Sequence, residues 1–292
     1  MLKGSIVALV TPFKKGKIDY NAVDRLLDMH LAAKTDGILL CGTTGESPAL
    51  AGDEKEFFVN YCLHKLEKRL PVIVGTGTNN LSKTISATTK AQSQGADYAL
   101  VITPYYNKPT QNGLYQYFKA VAENVAIPLI IYNVPGRTGV NITSATTLRL
   151  AHDFPGIVGI KESSANLVQT SEIVKGAPEG FFVLSGEDAL NMPLMSCGAV
   201  GTVSVTANIV PEKIRELTHY CLEGNYLAAR KQHLELLELN AAMFLETSPI
   251  PVKEALAMMG IIEREFRLPM CFLQEENYLK LQAVLQKYKL VK

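Results

Sequence analysis

The chain has 292 residues, of which 47% are hydrophobic and 20% are charged, so it has ample material for a large core and lacks the composition of a disordered protein. Its 29 basic and 28 acidic residues give a formal net charge of +1, so no global field draws it to nucleic acid or to an anionic membrane, and we expect a small-molecule partner. The apolar run Ile6–Val10 is too short for a signal-peptide core or a membrane span, and we expect a cytoplasmic protein.

Short apolar runs punctuated by Gly, Pro or Thr alternate with amphipathic stretches along most of the chain. The runs predict eight buried strands: Ser5–Val10, Gly37–Leu40, Val72–Gly75, Tyr98–Ile102, Leu129–Tyr132, Val158–Lys161, Phe182–Ser185 and Val200–Val203. The stretches between them predict helices: Tyr20–Ala33, Asp53–Lys68, Leu81–Gln94, Gly113–Val125, Ser144–Phe154, Ala165–Lys175 and Ala189–Met195. Eight such alternations predict an α/β fold of the (β/α)8 TIM-barrel type, because a doubly wound sheet more often uses five or six strands.

Strand signals end near Val210, and the rest of the chain reads as helical. Four further helices are predicted: Pro211–Leu222, Tyr226–Phe244, Val252–Met259 and Leu273–Tyr288. No Pro/Gly-rich linker separates them from the barrel. We therefore expect two units, a barrel over residues 1–209 and a C-terminal helical extension over residues 210–292 that packs on the barrel.

Polar side chains follow most of the predicted strands. In a barrel of this type the chemistry lies at the carboxyl ends of the strands, so these residues are the candidates for a site. They are Thr11, Thr43 and Thr44, Gly75 to Gly77, Tyr105 and Tyr106, Tyr132 and Asn133, Lys161 and Glu162, and Gly186 and Glu187. Hydroxyl groups and a single amine are thus expected to converge on one face of the barrel.

Lys161 ends the apolar run Val158–Lys161, where a buried ammonium is unfavourable. On an isolated strand it would more often reach solvent or pair with a carboxylate. Among phenols and threonines at a barrel rim we favour the other interpretation, in which a desolvated lysine attacks a carbonyl and forms a Schiff base. Tyr132 could then carry protons, with Thr44 passing them onward.

Each of the neighbouring residues also has an ordinary structural explanation. Tyr132 could be a packing aromatic at the rim, and the Thr43–Thr44 pair could be a turn or a helix cap. Arg137 could bind a carboxylate or be a solvated loop cation. Gly42 and Gly45 could present backbone amides to a carboxylate or phosphate, but two glycines are weak grounds for this.

Rival chemistry has no support in the sequence. It contains no G-x-S-x-G, no H-E-x-x-H and no phosphate-loop motif. The five histidines fall in predicted helices, and the five cysteines are widely spaced without a C-x-x-C pair, so we expect no metal and reduced, mostly buried thiols. These residues are His30, His64, His152, His219 and His233, and Cys41, Cys62, Cys197, Cys221 and Cys271.

Several ordered motifs together resemble the dihydrodipicolinate synthase family, within the wider Schiff-base-forming pyruvate aldolase/N-acetylneuraminate lyase group. The resemblance spans nearly the whole chain. The motifs are Val7–Phe13, Gly42–Ser47, Tyr105–Tyr106, Tyr132–Gly139, Gly159–Glu162 and Pro249–Lys253. It implies a lyase that condenses pyruvate with L-aspartate 4-semialdehyde through a lysine Schiff base, without a cofactor, in the committed step toward diaminopimelate and lysine.

The resemblance also implies roles for particular residues. Lys161 would form the imine with pyruvate, and Thr44, Tyr132 and Tyr106 would relay protons, with Tyr106 supplied by the neighbouring subunit of a tight dimer. The remaining implied contacts are with substrate: Thr43 and Thr44 for the pyruvate carboxylate, Arg137 for the semialdehyde carboxylate, and the backbones of Gly186 and Val203 for the pocket wall. A homotetramer built as a dimer of tight dimers is implied as well.

Two alternatives remain open from the sequence. N-acetylneuraminate lyases share the barrel, the lysine and the tyrosine, but Thr43 and the Pro-x-Arg-Thr-Gly frame of Arg137 favour the synthase. A non-catalytic protein that only binds a keto acid is the other alternative. A binder has no need of a poised lysine beside two tyrosines, which argues against it.

The chain departs from the family pattern in two places. Lysine-inhibited bacterial members tend to carry His, His and Glu where this chain has Gly52, Lys55 and Lys83. Two added cations would repel a lysine effector, so we expect weak or absent feedback inhibition, although Ala49, Asn79 and Tyr105 still match. Ser248 stands where many relatives have Asn, and nothing in the sequence explains that change.

Overall fold

The computed structural model describes residues 1–292 and contains ten strands. In chain order they are β1 Gly4–Ala8, β2 Phe13–Lys14, β3 Lys17–Ile18, β4 Gly37–Leu40, β5 Val72–Gly75, β6 Tyr98–Ile102, β7 Leu129–Asn133, β8 Ile157–Glu162, β9 Phe182–Ser185 and β10 Gly201–Ser204. Eight of them form a closed barrel in the order β1, β10, β9, β8, β7, β6, β5, β4, and every pairing in it is parallel. The predicted (β/α)8 barrel is confirmed.

All eight predicted strands exist, and their ends move by only one or two residues. The short antiparallel hairpin of β2 and β3, which pairs Phe13 with Ile18, was not predicted. A two-residue strand carries no detectable period-2 pattern, so its pairing had no signal in the sequence.

Twelve helices surround and extend the barrel. They are α1 Tyr20–Ala32, α2 Gly52–Leu66, α3 Leu81–Gln94, α4 Gln111–Ala122, α5 Pro135–Thr138, α6 Ser144–Asp153, α7 Leu167–Gly176, α8 Asn191–Ser196, α9 Pro211–Leu222, α10 Tyr226–Ala242, α11 Ile250–Met258 and α12 Glu275–Lys287. Short 3-10 helices cover Ser47–Ala49, Asp188–Leu190 and Thr206–Asn208. The predicted helices are all present, whereas the one-turn helix α5 and the 3-10 helices were missed.

Side-chain caps decide several of the helix starts. Helix α4 was predicted to begin at Gly113 but begins at Gln111, because the Thr110 side chain accepts a hydrogen bond from the Gly113 N–H. Asn80 caps α3 in the same way, through the Lys83 N–H. Capping satisfies N–H groups that the first helical turn leaves without partners.

The core has two parts that follow from strand alternation. Twelve buried residues, among them Ile6, Leu100, Tyr132 and Val203, form a cluster distinct from the larger core. A cluster of 58 buried residues includes alternate strand residues such as Val7 and Ile131 together with the inward faces of the helices. Because the smaller cluster includes Tyr132 and Val203, the packed core extends up to the carboxyl ends of β7 and β10.

The C-terminal helices pack on the barrel. Helix α9 contacts β1 and β10, as the helix of an eighth βα unit would, and α10 packs on α9. Helix α11 contacts α12 and the 3-10 helix Thr206–Asn208. The division into units of residues 1–209 and 210–292 stays a prediction.

None of the helices combines the length and the apolar character required to cross a membrane.

Candidate active site

An open cleft of about 390 Å³ lies at the carboxyl ends of the barrel strands. The family resemblance implies roles for eight residues, and seven of them line this cleft: Thr43, Thr44, Tyr132, Arg137, Lys161, Gly186 and Val203. They come from the ends of β4, β7, β8, β9 and β10, which are far apart in sequence, and only closure of the barrel brings them together. The eighth predicted residue, Tyr106, does not line the cleft.

Lys161 and Tyr132 form the centre of the cleft. They are register partners on β8 and β7, and the Lys161 Nζ lies 4.2 Å from the centroid of the Tyr132 ring. Their exposed fractions are only 6% and 7%. The other buried lysine, Lys253, is paired with Glu46, whereas Lys161 forms no ion pair with any carboxylate. Lys161 is therefore a buried amine that lines the cleft and has no ion-pair partner in the chain.

The residues that follow Tyr132 and Lys161 point to the opposite face of the sheet and hold the two strand ends together. Glu162 is fully buried, and both of its oxygens accept hydrogen bonds from Asn133 Nδ2 at 3.1 Å. Gln169 Nε2 and the Ser164 N–H complete the set at 3.0 and 2.7 Å. Since neutral donors satisfy this carboxylate, the network fixes the ends of β7 and β8 without adding a cation near Lys161.

The Gly42–Ser47 loop presents free backbone donors to the cleft. The N–H groups of Thr43 and Thr44 donate no hydrogen bond within the chain, while the Glu46 N–H closes the turn on the Thr43 carbonyl at 3.1 Å. Thr11 Oγ1 donates a hydrogen bond to the Gly45 carbonyl at 2.7 Å, which connects the loop to the segment that follows β1. Free, adjacent N–H groups suit a carboxylate, because charge-assisted hydrogen bonds from backbone amides are strong.

Arg137 lies at the outer wall of the cleft, on the one-turn helix α5. Its Nη2 donates to the Ser248 carbonyl at 3.2 Å, which orients the guanidinium from the C-terminal part of the chain. The group is exposed and forms no ion pair with a carboxylate in the chain. Its remaining N–H donors are free to bind a carboxylate bidentately.

Gly186 leaves the space that Lys161 and Ser163 occupy. A Cβ atom at this position would lie 1.9 Å from Ser163 Oγ and 2.8 Å from Lys161 Cε. Ser163 Oγ is buried beside the lysine and has no hydrogen-bond partner. No larger residue than glycine fits here without moving the amine.

The sequence did not identify several other residues that line the cleft. One wall comes from the segment before α11, namely Phe244, Glu246, Thr247 and Ser248, and no local pattern associates that segment with strand ends. Glu187 also lines the cleft; burial and then the Asp188 charge raise the pKa of its carboxyl, although Lys161 and Arg137 oppose the shift. Unlike those residues, Glu187 was already among the candidates from the sequence, because it comes directly after Gly186 at the end of a predicted strand.

Tyr106 lies outside the cleft of its own chain. Its side chain is 88% exposed and its φ is +78°, a left-handed backbone conformation that a tyrosine rarely adopts. Its neighbour Tyr105 lines a smaller pocket that also includes Tyr132 and Thr43. Within one chain, Tyr106 is therefore not part of the group formed by Lys161, Tyr132 and Thr44.

The structure contains no group of three or more His, Cys, Asp or Glu side chains that could hold a metal ion. All five cysteines are free, and Cys41, Cys62 and Cys221 are buried. The histidines lie in helices, as predicted.

Comparison with known proteins gives one consistent result. A sequence model of the dihydrodipicolinate synthetase family matches residues 1–288. A protein named 4-hydroxy-tetrahydrodipicolinate synthase from Thermodesulfovibrio yellowstonii is 50% identical over 292 residues, which cover all of both chains. Crystal structures of two dihydrodipicolinate synthases also match, from Aquifex aeolicus (49% identity, 99% and 98% of the two chains, TM-score 0.97) and Thermotoga maritima (41%, 100% of both chains, TM-score 0.98).

Proposed function

The chain belongs to the dihydrodipicolinate synthetase family and condenses pyruvate with L-aspartate 4-semialdehyde to give 4-hydroxy-tetrahydrodipicolinate, and we propose that it does so through an imine on Lys161. This lyase reaction is the committed step toward diaminopimelate and lysine. The observation that carries the residue assignment is the unpaired, 6%-exposed Lys161 amine beside Tyr132 in the cleft.

The proposed first step is attack of the Lys161 Nζ on the keto carbon of pyruvate. The carbonyl oxygen leaves as water, and the C=N bond of the imine forms. The free N–H groups of Thr43 and Thr44 hold the pyruvate carboxylate during this step. Loss of a methyl proton then gives an enamine, whose carbon attacks the aldehyde of the second substrate.

These steps need a group that moves protons next to Lys161. We assign this role to the Tyr132 phenol, since its strand register keeps it against the amine, and to the hydroxyl of Thr44, which is 5% exposed and lines the same cleft. The partner subunit's Tyr106 is proposed to complete the relay. Its exposure and its left-handed backbone support that assignment, because a tyrosine held outward in this way needs a partner to cover it.

The second substrate is proposed to bind through Arg137. The guanidinium is oriented by the Ser248 carbonyl and keeps free donors toward the cleft, which suits the carboxylate of the semialdehyde. Gly186 and Val203 line the same cleft. The homotetramer, built as a dimer of tight dimers, and the cytoplasmic location remain predictions.

Trapping and turnover together test this proposal. Borohydride added with pyruvate is expected to reduce the imine and leave a stable adduct on Lys161, which peptide mass spectrometry locates. Condensation with aspartate semialdehyde should be lost in Lys161→Ala. An adduct on another lysine would overturn the assignment of Lys161. Cleavage of N-acetylneuraminate, without condensation with aspartate semialdehyde, would overturn the role assigned to Arg137.

A further inference from the structure

We propose that the buried ion pair between Lys253 and Glu46 is a positioning device for pyruvate, which holds the Gly42–Ser47 loop in the conformation that offers its free N–H groups to the carboxylate. The inference rests on the proposed function, since it assigns the supporting residues of that same binding loop. It gives helix α11, outside the strands of the barrel, an indirect part in substrate binding, through the loop that it positions.

The pair is unusually well shielded from solvent. Lys253 Nζ and Glu46 Oε1 are 2.5 Å apart, and the two side chains are 1% and 2% exposed. The ammonium also lies over the ring of Phe13, at 4.3 Å from its centroid. Burial lowers the pKa of Lys253, while the Glu46 carboxylate opposes this through its charge and its hydrogen bond. The two charges are thus each other's main compensation.

Glu46 belongs to the loop and lies where the backbone adopts an unfavourable conformation. Cys41, just before the loop, and Glu46, near its end, have positive φ values of 54° and 51°, which are unfavourable for residues other than glycine. Such conformations persist only where surrounding contacts over-determine them. The ion pair at Glu46 and the Thr11 hydrogen bond at Gly45 both fix this turn, and the Arg267 N–H donates a longer hydrogen bond, at 3.5 Å, to the other Glu46 oxygen.

Lys253, the partner of Glu46, is 207 residues away in sequence. It lies in a segment that contacts both the loop and Arg137. Lys253 lies on α11, and Ser248, just before that helix, accepts the hydrogen bond from Arg137. One short segment therefore contacts the loop proposed for pyruvate and the arginine proposed for the semialdehyde. Replacing Lys253 removes only the contact with the loop, because Arg137 donates to the backbone carbonyl of Ser248.

Stability alone is a poor explanation for this pair. A buried ion pair is often no more stabilising than apolar residues of similar volume, whereas removing one partner leaves a buried charge without compensation. A role in geometry and a role in stability therefore predict different behaviour for a double substitution that removes both charges. That difference is the basis of the test.

The experiment compares wild type with Glu46→Gln, Lys253→Met and the double variant. The readouts are thermal unfolding and the pyruvate concentration that gives half-maximal borohydride-trapped adduct on Lys161. Each single variant is expected to lose stability. The double variant should regain it, yet need about tenfold more pyruvate, because even small misplacement of a binding group is costly, and its KM for aspartate semialdehyde should change far less.

A matched control comes from the next residue of the same helix. Glu254 is fully buried, pairs with Arg264 at 2.6 Å and accepts a hydrogen bond from the Leu273 N–H, so it forms no hydrogen bond with the loop. The Glu254→Gln/Arg264→Met double variant should leave the half-saturating pyruvate concentration unchanged. Glu46→Asp, which keeps both charges but shortens the side chain, should raise that concentration even if the double variant does not fold.

The outcomes separate this inference from the function on which it rests. If wild type gives no adduct on Lys161, the proposed imine is wrong. If wild type is labelled but the double variant and Glu46→Asp saturate at the wild-type pyruvate concentration, the pair is only structural and the positioning role is overturned.

Discussion

Tyr132 and Lys161 are register partners on neighbouring strands, with the lysine Nζ 4.2 Å from the centroid of the tyrosine ring. A parallel ladder fixes this relationship, since residues paired across two strands project to the same face. The pairing keeps a phenol beside the amine that is proposed to become an imine.

Tyr132→Phe should therefore separate proton transfer from imine formation. The ring is retained, so folding should be unaffected, whereas loss of the phenol should lower kcat by about 10²- to 10³-fold, within the range for general acid–base groups. Steady-state turnover gives kcat, and mass spectrometry after borohydride should still find pyruvate on Lys161. Wild-type kcat in this variant would show that another group carries the protons.

Mixed subunits test whether Tyr106 acts across a dimer. Tyr106→Phe and Lys161→Ala should each be nearly inactive alone. In a hybrid dimer one site receives Lys161 from the first chain and Tyr106 from the second, so co-expression should restore about a quarter of wild-type activity for a symmetric dimer with random pairing. Activity that stays at the sum of the two variants would mean that Tyr106 does not complete a neighbour's site.

Gly186→Ala should abolish trapping of pyruvate on Lys161. The added Cβ would lie 1.9 Å from Ser163 Oγ and 2.8 Å from Lys161 Cε, so the amine must move. Gly136→Ala is the matched control, because Gly136 also lines the cleft and its Cβ would meet nothing within 4 Å. Circular dichroism should show both variants folded. Equal labelling of the two would contradict the steric argument.

Lysine is expected to inhibit this enzyme weakly or not at all. Lys55 lies on α2 and Lys83 in the first turn of α3, where two cations would face a cationic effector. The Gly52→His/Lys55→His/Lys83→Glu variant should gain inhibition, since it supplies a carboxylate and removes both cations. Initial rates with increasing lysine measure this, and clear inhibition of wild type by sub-millimolar lysine would refute the expectation.

His30 should make the fold sensitive to acid. It is fully buried on α1, its Nδ1 lies 3.0 Å from Thr35 Oγ1, and burial lowers its pKa to about 3 from 6.5. Because the folded pKa is below the unfolded one, the unfolded state binds the proton first, so stability is complete above pH 6.5 and falls as the pH drops toward 3. The loss should reach about 2 kcal/mol by pH 5.

Urea unfolding at fixed protein concentration, at pH 7 and at pH 5, measures that loss. His30→Gln cannot take up the proton, so its free energy of unfolding should depend less on pH over this interval by the same amount. Equal pH dependence in the two proteins would assign the acid sensitivity to other groups.

Much of the architecture could be predicted because its signals are local. Each barrel strand is a short apolar run buried on both faces, and a polar residue at its end, such as Tyr132 or Lys161, or shortly after it, such as Thr44, is visible as an interruption of the run. The strand alternation therefore indicated both the barrel and the edge where these side chains meet. Helix ends were less accurate, because a cap such as Thr110 depends on one side-chain hydrogen bond.

By itself, then, the sequence determined the (β/α)8 order, the amine at the end of β8 and the phenol beside it, since all three depend on residues that are neighbours in the chain or on adjacent strands. Only the tertiary structure decided three other features: the Lys253–Glu46 ion pair, the hydrogen bond from Arg137 to the Ser248 carbonyl, and the outward position of Tyr106. The first two contacts join residues more than 100 positions apart. No periodicity reports such pairings, because they arise from packing of α11 against the closed barrel.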